Sequence, residues 1–249
     1  MTNFIPFILP TIAGLSTLVG MAFIYVKCDS EKIVKYSLSF AAGVMLCVSI
    51  IDLLPESINL FSKLLNKKQT FIYTLFSAAI GTTIPFIIDK LLGKNENELY
   101  KVGVLSMIAI IVHNIPEGIA TYLSATANIK LGISIAAAIT LHNIPEGISI
   151  AVPVYYGTKN SKKAFIMTLV SAISEPFGAI FAFLFLKPII TDQIMGVVLA
   201  IIAGLMSNIS LIELLPKSLK YSEKKKTLIF FIIGIIFMYI SINLIKKYS

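Results

Sequence analysis

Charge is scarce in this chain. Asp, Glu, Lys and Arg make up 14% of its 249 residues, against about 25% in soluble domains, which excludes an ordinary soluble globular protein. Arginine is absent, so the net charge of +8 comes from lysine alone. Those lysines sit in short connections near the ends of apolar runs, and this argues for orientation in a membrane rather than for binding nucleic acid. The two cysteines, Cys28 in a connection and Cys47 inside an apolar run, give no disulfide framework. Histidine occurs only twice.

What fills the space instead is hydrophobic sequence, 57% of all residues. It is divided into eight runs, at about 4–26, 33–60, 70–92, 102–125, 130–154, 163–186, 192–215 and 227–245, each reaching the roughly 20 residues that a bilayer-crossing helix requires. The runs lack the alternation of a barrel strand, and only helices and closed barrels satisfy their backbone in lipid. An all-α integral membrane protein follows, with residues 1–249 as a single transmembrane unit. The first run has no basic residue before it and exceeds a signal-peptide core, so it is expected to be retained.

Lysine sets an expected orientation. With the N-terminus outside, Lys27, Lys32, Lys35, Lys90, Lys94, Lys101, Lys159, Lys162, Lys163, Lys217, Lys220, Lys224, Lys225 and Lys226 face the cytoplasm. Lys63, Lys67, Lys68, Lys130, Lys187, Lys246 and Lys247 do not. The positive-inside rule therefore places both termini on the extracytoplasmic side.

Two internal repeats are present. HNIPEGI begins at His113 and again at His142, and AGVMLCVSIIDLLPES (Ala42 to Ser57) is echoed by AGLMSNISLIELLPKS (Ala203 to Ser218), with nine of sixteen positions identical. The first pair lies on runs four and five and the second on runs two and seven. Both pairs are an odd number of crossings apart, so each repeated segment traverses the membrane in opposite directions. That is an inverted repeat, an arrangement more common in transporters than in enzymes.

The chemistry concentrates in the HNIPEG copies. Residues i and i+4 share a helix face, so His113 projects with Glu117 and His142 with Glu146. Pro116 and Pro145 lack an N–H and free the carbonyls of Val112 and Leu141. Asp52, Glu56, Glu117, Glu146, Glu175 and Glu213 all fall in the runs, whose interiors hold no lysine. A carboxylate at membrane depth normally pairs with a cation, so the counter-charge is a proton or a cation that comes and goes. Imidazole with carboxylate suits Zn²⁺, Fe²⁺ or Mn²⁺ rather than Na⁺ or K⁺. Glu175, directly before Pro176, reads as a further site residue. Asp52 and Glu56 near the outer end of run two, and Glu213 near the inner end of run seven, read as entrance and exit relay groups. Met45 can lend a thioether, although a Met on an apolar helix usually only packs. Gly43, Gly118, Gly147 and Gly204 permit close helix approach.

The tandem HNIPEG, the SEPFG segment and IDLLPES, in this order over nearly the whole chain, resemble the ZIP (Zrt/Irt-like) divalent metal transporters, most closely their bacterial ZupT-type branch. The resemblance implies eight helices in a three-two-three arrangement and import of zinc, iron or related ions toward the cytoplasm, across a bacterial plasma membrane. It also implies a binuclear site. His113, Glu117, His142 and Glu146 form one position, with Met45 as an addition. Asn114, Asn143 and Glu175 complete the second, sharing Glu117 and Glu146. The metal is cargo and no cofactor is implied; a homodimer is left open. The connection DKLLGKNENELYK departs from the His-rich segment of many relatives. An intramembrane metal-dependent enzyme or sensor is the alternative, but a zinc protease needs HExxH, with Glu where this chain has Asn, and His-box oxygenases need more than two histidines.

Overall fold

A computed structural model describes residues 4–92, 97–185, 191–220 and 223–248. Lys94 and Lys187, and positions 93–96 of the connection singled out above, lie outside the described residues, as do the side chains of Lys246 and Lys247. Eight helices are long and apolar enough to cross a membrane: α1 (Ile5–Tyr25), α2 (Ser30–Ser62), α3 (Lys67–Leu91), α4 (Glu98–Ala127), α5 (Ile129–Thr158), α6 (Ser161–Phe185), α7 (Asp192–Leu219) and α8 (Lys224–Leu244). No strand occurs among the described residues.

Several helices begin ahead of the apolar runs, because a polar cap rather than the first hydrophobic residue starts them. Asp29 Oδ1 accepts from the Glu31 amide, Asn97 Oδ1 from Leu99, Asn128 Oδ1 from Lys130 and Asn160 Oδ1 from Lys163, at 3.1, 2.9, 2.9 and 2.9 Å. Large apolar side chains such as Phe71, Phe76, Phe177 and Phe183 are more than half exposed. In a bilayer these faces meet acyl chains, and the exposure is no anomaly.

The helices sort into two groups. α1, α4, α5 and α6 pack on one another, whereas α2 lies along α8 and α3 along α7; α2 also leans on α7 and α5. The repeat seen in the sequence governs this packing. A side chain at Gly43 would collide with the Phe231 carbonyl on α8, and one at Gly204 with the Ala78 carbonyl on α3. Gly118 in turn meets the Glu175 carbonyl on α6, and Gly147 the Thr17 carbonyl on α1. The correspondence α2 with α7, α3 with α8, α4 with α5 and α1 with α6 satisfies all four crossings.

Local distortions follow the same symmetry. α2 contains a π-helical segment at Ser49–Leu53 and α7 one at Ile209–Leu214, each just before a proline, Pro55 or Pro216. A proline cannot supply the amide that closes the preceding turn, and widening that turn is one way to accommodate it. α1 tightens into a 3₁₀ stretch at Thr17–Tyr25.

At the lysine-rich end, ion pairs replace apolar contacts. Lys35, almost fully buried, reaches Glu223 at 2.8 Å. Glu223 lies in the α7–α8 connection, where Lys226, Lys35 and Tyr36 hold its carboxyl down at about 2.

Candidate metal centre

One residue sets the depth of both histidines. Asn128 alone joins α4 to α5, with an extended backbone of φ −152° and ψ 117°, so the helices turn back on each other at once. His113 stands fifteen residues before it and His142 fourteen after. At 1.5 Å per residue both lie about 21–23 Å from the hairpin tip, well inside the membrane-crossing lengths. The i, i+4 spacing then turns Glu117 and Glu146 toward the same space.

The four side chains meet there. His142 Nε2 lies 2.8 Å from Glu117 Oε1, and His113 Nε2 lies 3.1 Å from that same oxygen and 3.7 Å from Glu146 Oε1. Ligand atoms of His113, His142 and Glu146 all lie within 4.8 Å of one another. In a tetrahedral zinc site with bonds near 2.0–2.1 Å, donor atoms stand about 3.3 Å apart. The distances found bracket that value, so a small divalent ion needs side-chain adjustments of an ångström or so rather than a helix movement. His113, His142 and Glu146 are buried, and the Glu117 side chain is 12% exposed.

The second group lies against α1 and α6. Asn143 Nδ2 donates to Glu175 Oε2 at 2.8 Å and to the Ala13 carbonyl at 2.9 Å. Asn114 Nδ2 donates to the Ser171 carbonyl, one turn before Glu175, at 3.1 Å. With both amide nitrogens occupied by acceptors, each Asn is left with a free acceptor oxygen. Asn114 Oδ1, Asn143 Oδ1, Glu117 Oε2, Glu175 Oε1 and both oxygens of Glu146 are buried without a hydrogen-bond donor among the described residues. Buried acceptor atoms of this kind at membrane depth, with no lysine beside them among the described residues, suit a cation and resist an anion.

The remaining candidates lie on α2 and α7. Asp52 is half-buried on α2, whereas Glu56, one turn on, is exposed and has Asn59 at 3.5 Å. Glu213 is half-buried on α7, at the end that carries Lys217. Met45 is fully buried on α2. Thr17 escaped the sequence reading: it is the α1 counterpart of Glu175, wholly buried, with its hydroxyl unpartnered among the described residues. The α1/α6 correspondence behind it rests on backbone carbonyls, which leave no letters in a sequence.

Known proteins are similar to this chain over most of its length. The family model described as ZIP Zinc transporter matches residues 2–98 and 93–242. Proteins named Zinc transporter ZupT are similar over nearly their full length. That of Chlorobium phaeovibrioides is 41% identical, covering 96% of this chain and 97% of its own. That of Streptococcus mutans is 37% identical with 97% of each chain covered, and that of Chlorobaculum parvum 39% identical with 87% and 88% covered.

Proposed function

Because the chain belongs to the ZIP zinc transporter family, and is therefore a transporter and not an enzyme, we propose that it carries Zn²⁺, together with Fe²⁺, Mn²⁺ and related ions, into the cytoplasm. The observation that carries this reading is the convergence of His113, Glu117, His142 and Glu146 from two antiparallel helices, with no lysine paired to them among the described residues. Two imidazoles and carboxylate oxygens select borderline divalent ions over hard monovalent ones.

In this reading the four residues form one metal position, with Met45 as an added thioether. Asn114 Oδ1, Asn143 Oδ1 and Glu175 form the second, and the Glu117 and Glu146 carboxylates bridge the two. The lysine-rich end faces the cytoplasm of a bacterial plasma membrane, with both termini outside. Asp52 and Glu56 draw the hydrated ion in, and Glu213 receives it on the way out as the α4/α5 core shifts against the flanking helices. Ligation requires neutral imidazole and ionised carboxylate, so loading releases protons.

The test is radioactive zinc uptake into proteoliposomes, comparing the intact protein with a His113→Ala/His142→Ala double variant, with excess Fe²⁺, Mn²⁺ or Ca²⁺ as competitors. Saturable uptake lost in the double variant supports the reading, and the competition ranks the ions. No uptake by either protein, with both folded, overturns it.

A further inference from the structure

We propose that the groove between the first turns of α4 and α6 binds one anionic phospholipid. It is an open cavity of about 460 Å³ at the lysine-rich end of the bundle, bordered by the exposed Ile166, and none of its lining residues belongs to the metal centre. Its apolar wall comes from Val104 and Met107 on α4 and Ile166 and Met167 on α6; its mouth carries Lys162 and Lys163.

The spacing of these residues gives the groove two ends. Tyr100, Val104 and Met107 follow one another at four and three residues, and Lys162, Ile166 and Lys163, Met167 at four, so each series lies along one helix face. From Tyr100 to Met107 the face descends about 10 Å. The groove therefore passes from cationic to apolar over the depth that separates a phosphodiester from the first methylenes of its acyl chains. Ile166, Val170 and Ile173 continue the face of α6 at 47–49% exposure, which gives an acyl chain a track deeper into the bilayer.

Charge selects the occupant. At this same end Lys35, Lys101, Lys217, Lys220 and Lys226 each have a carboxylate within ion-pair distance. Lys162 and Lys163 have none among the described residues, as is true of Lys27, Lys32, Lys90, Lys159, Lys224 and Lys225, but these two line the groove, and Lys163 Nζ rests 3.8 Å over the Tyr100 ring. Two uncompensated ammonium groups over an apolar wall favour a headgroup with net negative charge. A zwitterionic lipid, with its own cation beside the phosphate and no net charge, gains less from the same two groups. A bound lipid joins α4, which carries His113 and Glu117, to α6, which carries Glu175.

Native mass spectrometry of the full-length protein, titrated with dioleoyl phosphatidylglycerol or dioleoyl phosphatidylcholine, tests this. The intact protein is expected to retain one phosphatidylglycerol more tightly than phosphatidylcholine. A Lys162→Gln/Lys163→Gln variant is expected to bind it about thirtyfold more weakly, roughly fivefold for each cation near an anionic group. Lys224→Gln/Lys225→Gln, a charge-matched control at the same end, should leave that affinity unchanged. Equal affinity for the two lipids, an equal loss in the control, or displacement of the lipid by millimolar glycerol phosphate would each overturn the proposal.

Discussion

His142 Nε2 on α5 lies 2.8 Å from Glu117 Oε1 on α4, closer than the 3.1 Å separating that oxygen from His113 on its own helix. The carboxylate thus bridges the two imidazoles and ties the antiparallel helices at mid-depth. Removing its charge removes a metal ligand and leaves both buried imidazoles without the carboxylate they pair with. Glu117→Gln is therefore expected to lower zinc uptake at least about a hundredfold and also to destabilise the metal-free protein. Uptake assays beside thermal unfolding decide it; full uptake at normal expression would remove Glu117 from the site.

Glu175 is positioned by Asn143, whose amide donates to it at 2.8 Å. Glu175→Gln keeps a hydrogen-bonding oxygen there and deletes only the charge. If two ions bind, metal analysis of the purified variant should fall from two equivalents to one while the His113/His142 position stays filled. An unchanged stoichiometry would count against a second position at Glu175.

The sequence carried much of this and missed the remainder for identifiable reasons. Hydropathy located every crossing helix, yet placed several starts late because Asp29, Asn97 and Asn160 cap ahead of the apolar residues. The HNIPEG copies were legible since one-letter spacing maps directly onto a helix face. The α2/α7 echo was legible because both copies keep the same small residues and proline. The α1/α6 relation was not: Ala13 corresponds to Ser171 and Thr17 to Glu175, and what is shared is a carbonyl accepting from an Asn. Symmetry in the backbone coexists here with asymmetry in chemistry, since a carboxylate stands on one side of the axis and a hydroxyl on the other.

That shared backbone makes Gly118 and Gly147 equivalent in packing. A Cβ at either would strike a carbonyl of the neighbouring helix, Glu175 or Thr17, and neither backbone can rotate away as a side chain could. Gly118→Ala and Gly147→Ala should each destabilise by about 1–3 kcal/mol or more, by similar amounts. Gly196→Ala, whose Cβ would meet only the Phe61 ring at 3.3 Å, should cost less. Unfolding midpoints of the three variants in detergent check the order, and a milder effect at Gly118 than at Gly196 would contradict the packing argument.

Glu98, at the start of α4, holds Lys217 at 2.9 Å and Lys220 at 2.6 Å, both on or beside the end of α7, and Lys101 reaches Asp89 on α3 at 3.3 Å. These pairs cross from the helix group of the metal centre to the other group. Glu98 is 62% exposed, so each pair contributes less than about 1 kcal/mol to stability. Glu98→Gln should therefore barely move the unfolding midpoint. If the two groups slide during transport, the pairs must break in one state and form in the other, and even a small bias changes the balance between states. The variant should then alter the rate of zinc uptake at low ionic strength without altering the number of ions bound, and the difference should fade in high salt as the charges are screened. Identical rates at low salt would mean that these pairs stay joined, or stay irrelevant, throughout the cycle.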